Sequence, residues 1–373
     1  MPPGGGQVSR APAGTQQPHA AAGAWLGRDF ADPALWRVPL DEDAVAALAD
    51  AAEQEPAGLV ESEALTRVAS TVRERLRAHG FVVLAGFPLE GLSLAQVKAA
   101  YAALGLHLGW PVSQDRAGTF LAHVEDAGAD IARNDQRGHR SAAELSFHAD
   151  RTDIVALLCV RRAASGGLSR LASSAAVHNT VLEERPDLLE ELYRPLPHDR
   201  RGEQPPGHAP WCSMPIFARV DGHFVARYIR RFVTASQRWD DAPRLTPSQL
   251  EALDLVDDVL DRPGVALAME LEPGDVQLVD NIRLLHSRTA FVDGPTPAER
   301  RLLLRLWLAY AESPPLPPEY APLYGSVEAG AYRGGVWPAE GEPPFFGEPV
   351  RGFAPEAVLS RLVPQEPDRA LAT

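Results

Sequence analysis

The run Arg301-Leu-Leu-Leu-Arg305-Leu-Trp307-Leu-Ala-Tyr310 restricts the possible folds of this chain more than any other segment. Side chains alternate across a strand, so Leu302, Leu304, Leu306 and Leu308 line one face while Arg301, Leu303, Arg305 and Trp307 line the other. A face made wholly of leucine has to pack on apolar neighbours, which places the segment in a layered β structure. Its second face leaves two environments open. On the solvent side of an edge strand the arginines are ordinary surface charges. Inside a barrel each guanidinium needs an anion, because an unpaired buried charge is too costly.

Short β-like runs recur along the rest of the chain: 81–87, 154–160, 168–173, 215–220, 223–233, 266–271 and 275–279, with 302–310 closing the series. Helical periodicity predicts helices over 41–51, 62–79, 94–106 and about 175–192. A further helix is predicted over 247–261, with Thr246 as its N-cap. Leu65, Val68, Val72 and Leu76 give the second helix its apolar stripe, and Gly80 stops it. Many short, evenly spaced strands predict a mainly β sandwich or jelly roll decorated by helices.

Residues 1–27 are Gly, Pro, Ala and Gln without periodicity, and read as a disordered tail ahead of a single domain over 28–373. Within that domain the polar stretch 113–145 is expected to be a lid-like loop, and 246–262 a helical insertion. The net charge of −14 argues against nucleic acid as a partner, since phosphates require clustered Lys and Arg. No apolar run approaches the roughly 18 residues a membrane span needs, and no signal segment is visible, so a cytoplasmic location is expected. The two cysteines, Cys159 and Cys212, form no CxxC pair, and Cys159 sits in an apolar run as a buried thiol would.

Ser146-Phe-His148-Ala-Asp150 sets an imidazole and a carboxylate two residues apart, on one face if the segment is extended. Such a pair is weak by itself, since it is also a common surface or turn pair. It could bind an ion together with a third ligand, and two histidines with one carboxylate leave three positions open on an octahedral metal. The chain has 11 histidines, so the third ligand has several candidates, His107, His123, His139, His178 and His223 among them. His286 stands apart because Ser-Arg-Thr-Ala-Phe291 and then the two-arginine strand follow it.

Three pieces in order, Phe147-His148-Ala-Asp150, Gly166-Gly-Leu-Ser169-Arg-Leu171 and His286-Ser-Arg-Thr-Ala-Phe291 leading into Arg301-x-x-x-Arg305, resemble the taurine/2-oxoglutarate dioxygenase-like superfamily, which includes the clavaminate synthase-like enzymes. The resemblance extends over roughly 81–310 and implies a double-stranded β-helix. It implies iron(II) bound by His148, Asp150 and His286, with 2-oxoglutarate as co-substrate and O2 as oxidant. It further implies that Arg301 and the Ser169 hydroxyl hold the distal carboxylate of 2-oxoglutarate, although threonine is the usual residue at the serine position. Arg305 then becomes the candidate for an anionic group of the substrate. Asp150 favours hydroxylation, desaturation or ring closure over halogenation, because related halogenases carry Gly or Ala there.

The expected activity is oxidation of an unactivated C–H bond in a small molecule, amino-acid-like or a specialised metabolite. Asn281, Tyr228 and Arg230 are candidate pocket residues, with Gln114 and His139 from the polar stretch. Structural roles compete for each: Asn281 as a turn cap, Tyr228 and Arg230 as ordinary strand side chains. Two other functions stay open, a metal-binding jelly roll without turnover and an accessory protein acting by interaction. A non-turnover relative should have lost a ligand or the arginine pair, and both are present. A homo-oligomer is left open.

Overall fold

The computed structural model describes residues 17–20, 23–54, 62–129, 140–338, 346–351 and 362. Its leucine-faced segment forms the strand Leu302–Ala309, buried at every position. Both edges of that strand are paired, by Ile154–Arg161 on one side and by Leu121–Val124 and Trp110–Pro111 on the other, all antiparallel. It is an interior strand, so the surface-charge reading of its arginines falls. Beyond Ile154–Arg161 the sheet continues through Val276–Asp280 to Phe81–Ala85 and then, in parallel, to Arg37–Pro39.

A second, antiparallel sheet runs in the order Leu267–Met269, Ser169–Ser173, Leu284–Arg288, Leu145–His148. The inner faces of the two sheets share one apolar cluster, Phe81, Val83, Cys159, Val279 and Leu303 from the first meeting Leu171, Leu267, Met269 and Leu284 from the second. This is the jelly-roll sandwich that the alternation predicts. The outer leucines Leu302, Leu304, Leu306 and Leu308 pack with residues of the helices Glu42–Ala52, Glu63–His79 and Leu94–Leu108. Each buried leucine contributes roughly 1.5–3 kcal/mol, so four on one strand hold the helical layer to the sheet. Ser62 caps the second of these helices, and Gly80, at φ 87°, ends it in a left-handed turn as expected.

The small sheet is backed by Ser174–Glu184, Pro186–Tyr193 and Pro247–Asp261, whose apolar faces form one cluster with Phe147, Ala172 and Leu285. The last of these helices is the anticipated insertion, with Thr246 and Gln249 in a reciprocal capping box. The single helix expected over about 175–192 is two, broken where Pro186 opens the second. The strand expected over 223–233 ends at Ala226, and Arg230–Ser236 is a short helix.

Two further expectations need correction. The stretch 113–145 is not one open loop: Ser113 and Gln114 are buried and Leu121–Val124 joins the large sheet, while 130–139 lie outside the described residues. Nor is the N-terminal segment loose up to Gly27. Residues 1–16, 21 and 22 lie outside the described residues, but the His19 N–H donates to Asn179 Oδ1 at 2.8 Å and its carbonyl accepts from Asn179 Nδ2 at 3.0 Å. The His19 ring lies 4.1 Å from that of Phe224, and buried Trp25 donates through Nε1 to the His79 carbonyl. Average composition hid these two rings, whose burial and hydrogen bonds offset the cost of ordering the segment. Cys159 is a buried free thiol, as anticipated.

Candidate metal centre

Pairing of Leu145–His148 with Leu284–Arg288 sets His148 directly opposite His286. Asp150 follows where the chain leaves the strand, and Asn281 fixes it there: Asn281 Oδ1 accepts from the Asp150 N–H at 2.9 Å, and Nδ2 donates to the carbonyls of Asp150 and Thr152, both at 2.7 Å. The imidazole centroids are 4.3 Å apart. His148 Nε2 lies 3.8 Å from one Asp150 oxygen, and His286 Nε2 lies 3.6 Å from the other. One donor atom from each residue falls within 4.8 Å of the other two. Side-chain exposures of 21%, 12% and 13% for His148, Asp150 and His286 leave one edge of the cluster open. That edge faces a cavity of about 560 Å³.

Protonation suits a divalent ion. The Ser146 carbonyl, 2.8 Å from His148 Nδ1, can only accept, so Nδ1 carries the proton and the Nε2 lone pair points inward. Burial, reinforced by the nearby His286, lowers the His148 pKa to about 4 and keeps the ring neutral near pH 7. Burial works the other way on Asp150, yet Arg305 and the two imidazoles together hold its carboxyl well below the ordinary range. Arg305 Nη1 stands 3.3 Å from Asp150 Oδ2, and Trp307 Nε1 donates to the same oxygen at 2.9 Å. Two imidazoles and an ionised carboxylate are a donor set that iron(II) accepts.

Arg301 lies at the other end of the same face. Gly166 and Gly167, both at φ 75°, let the chain pass close to it: a Cβ on Gly166 would sit 2.2 Å from the Ala290 carbonyl oxygen, and one on Gly167 would sit 3.2 Å from Arg301 Nε. Arg288 and Arg301 both stack on Phe291, their guanidinium carbons 4.6 and 5.1 Å from the ring centroid. Each has a buried Nη1 without a hydrogen-bond partner among the described residues. Burial, with the Arg301 charge second, lowers the Arg288 pKa to about 10. Two adjoining guanidiniums with unused donors are a fitting receptor for a carboxylate. Ser169, on the strand paired with Arg288, is buried and donates to Gln277 Oε1 at 2.9 Å.

Several predicted pocket residues have other duties. Both ends of the Asn281 amide are engaged by backbone, so it shapes the metal-binding loop and does not line the cavity. Tyr228 is buried away from the cavity, its hydroxyl donating to Asp257 Oδ1 at 2.5 Å. Arg230 lines the cavity and is ion-paired to Asp254 and Asp257. Gln114 lies behind the site, its Oε1 accepting from Arg305 Nε at 2.6 Å. Buried His178 meets the Tyr193 hydroxyl at 3.0 Å, and His139 lies outside the described residues. Reading the sequence missed Trp307 and Arg288. Trp307 shares the Arg305 face by period two, and Arg288 lies two residues beyond His286, so alternation carried both signals.

A two-histidine, one-carboxylate cluster at the open edge of a double-stranded β-helix defines the non-heme iron(II) oxygenases as a class. The profile of the taurine catabolism dioxygenase TauD, TfdA family matches residues 44–307, and the chain belongs to that family of 2-oxoglutarate-dependent dioxygenases. It is 33% identical over 308 residues to FR-33289 synthase of Streptomyces rubellomurinus, covering 79% of this chain and 91% of that one. Over 237 residues it is 27% identical to the taurine hydroxylase-like protein SAT17 of Stachybotrys chartarum, covering 61% of this chain and 60% of the relative. Asparagine oxygenase, solved with Fe(II), 3-hydroxyasparagine and succinate, shares the fold at a TM-score of 0.56 and 19% identity, over 75% of this chain and 97% of that one. The oxygenase OrfP, solved with Fe and alpha-ketoglutaric acid, does so at 0.53 and 15% identity, over 73% and 93%. Among the described residues, no helix is long and apolar enough to cross a membrane.

Proposed function

We propose that residues 28–373 form one oxygenase domain in which His148, Asp150 and His286 hold iron(II), and Arg301 with Ser169 holds the distal carboxylate of 2-oxoglutarate. Arg288 joins Arg301 in that second role. The observation that carries this reading is the convergence of the three side chains beside a cavity, with unpartnered guanidinium donors buried under the same sheet. Iron(II), when bound, supplies oxygen activation coupled to decarboxylation of 2-oxoglutarate, giving succinate, carbon dioxide and a hydroxylated substrate.

The chain's own residues orient and protect this chemistry. Ser146 fixes the His148 tautomer, and Arg305 and Trp307 keep the Asp150 carboxylate ionised and turned toward the histidines. Cys159, Leu171, Met269 and Leu303 make the interior between the sheets apolar, which strengthens every charged contact there. The cavity of about 560 Å³ suits a small molecule, and the structural neighbours solved with hydroxyasparagine and hydroxyarginine support an amino-acid-like or specialised-metabolite substrate. Because Asp150 occupies the place a halide would need, the outcome is hydroxylation or a related oxidation.

The test is anaerobic titration of the apo-protein with iron(II) and 2-oxoglutarate. One iron per chain and the weak visible band of an iron(II)–keto-acid chelate are expected. No band at saturation of both overturns the reading.

A further inference from the structure

The cavity beside the metal centre is cationic in a chain whose net charge is −14. Six arginines line it against three carboxylates. Three of the six are ion-paired: Arg305 with Asp150, Arg151 with Glu203, Arg230 with Asp254 and Asp257. Arg227 is different. It is 2% exposed, and its Nε and Nη1 are buried with no hydrogen-bond partner among the described residues. The Tyr324 phenol is hydrogen-bonded to its guanidinium, the Tyr320 phenol and the His198 ring lie nearby, and no carboxylate among the described residues is ion-paired with it.

The backbone ties Arg227 to the metal centre. Its N–H donates to the Ile216 carbonyl at 2.9 Å, and the next carbonyl, that of Tyr228, accepts from Ala149 N–H at 2.9 Å, between His148 and Asp150. Ile229 bridges to His148 itself. Two residues apart along this extended stretch, Arg227 and Ile229 both line the cavity. A buried guanidinium with no counter-charge and two unused nitrogens is costly to retain in the interior unless a ligand pairs it, and its backbone contacts preorganise it for that ligand.

We propose that Arg227 is a substrate-binding residue that pairs with an oxyanion on the substrate, a carboxylate or a phosphate-type group. This rests on the oxygenase reading above. It adds a second anion receptor beside the metal, separate from Arg301 and from Arg305, whose charge Asp150 already meets. A cationic cavity in an acidic protein also focuses the field on anions and repels cations.

The test uses enzyme loaded anaerobically with iron(II) and saturating 2-oxoglutarate, so that Arg301 is occupied, titrated calorimetrically with inorganic phosphate and separately with acetate. One saturable site is expected for at least one anion. Arg227→Met should raise its apparent Kd at least about ten-fold, Arg227→Lys should restore part of the affinity, and exposed Arg67→Gln should change nothing. Tighter phosphate assigns a tetrahedral oxyanion and tighter acetate a carboxylate. Without anion, Arg227→Met should melt no lower than the parent, since it removes an unpaired buried charge, and it should lose the Tm gain that the anion gives the parent. The visible chelate band is read in each sample. Its absence marks failure of the oxygenase reading. If the band is present, no saturable anion binding, or an affinity that Arg227→Met leaves within about two-fold, overturns the assignment.

Discussion

Arg301 and Arg305 share one face two pleat repeats apart, and the protein treats them in opposite ways. At the Arg305 end the chain supplies the anion itself: Asp150 Oδ2 lies 3.3 Å from Nη1, and Gln114 Oε1 accepts from Nε at 2.6 Å. At the Arg301 end no carboxylate is ion-paired among the described residues, a second guanidinium shares the Phe291 ring, and both Nη1 atoms lack partners. A buried charge answered from within the chain is part of the structure. One left unanswered marks where a ligand belongs. Arg305 therefore acts first on the metal centre, by holding Asp150, before any contact it makes with substrate.

The largest expected effect tests the metal end. His286→Ala or His148→Ala should lose iron by more than the roughly 100-fold seen when only an outer-sphere partner is removed, and succinate formation should fall with it. Buried His178→Ala should keep one iron per chain. Retention of iron by either ligand variant would break the assignment.

At the co-substrate end, Arg301→Ala should weaken 2-oxoglutarate binding by about 2–5 kcal/mol, or roughly 30-fold to several-thousand-fold, in an anaerobic titration followed by the visible band. Arg301→Lys should recover only part, because an ammonium lacks the planar fork. Arg305→Ala sharpens the contrast. It should lower iron affinity about 10–100-fold while leaving 2-oxoglutarate affinity of the iron-loaded protein nearly unchanged. Equal loss of 2-oxoglutarate affinity in both variants would mean that the two arginines serve one anion.

Trp307→Phe keeps the ring and removes one N–H from Asp150 Oδ2, so iron affinity should fall by about ten-fold at most. The smallest effect concerns the Asp280 carboxylate, where burial outweighs the Ile282 N–H and Arg283 that favour its charge. Burial, opposed in part by Arg283, raises the Asp280 pKa from 3.8 to about 6. In that window the folded protein holds a proton that the unfolded chain has released, so this contribution to stability is present below pH 3.8 and is lost as pH rises through 6. Asp280→Asn should flatten that part of the Tm–pH curve. An unchanged slope would show that Asp280 titrates normally.

Alternation of leucine and arginine and the recurrence of short strands marked a β sandwich or jelly roll, because period-two geometry is a local property, while the three candidate ligands and Arg301 were legible as what the resemblance of their motifs to a known superfamily implied. Helix ends were equally legible at Gly80 and Thr246, where caps act through neighbouring residues. Which polar groups would be answered from within the chain was not local. Asn281 and Tyr228 were candidate pocket residues until folding brought Asp150, Thr152 and Asp257 to them, and Arg227, to which no role was assigned, is buried by folding beside the metal cavity with no carboxylate ion-paired to it among the described residues. Sequence determined which side chains carry charge and which face of a strand they share. Tertiary structure alone decided which of those groups meet a partner, since Asp257 lies 29 residues from Tyr228 and Asp150 lies 131 from Asn281 and 155 from Arg305, and the cost of an unpaired charge exists only once water has been excluded.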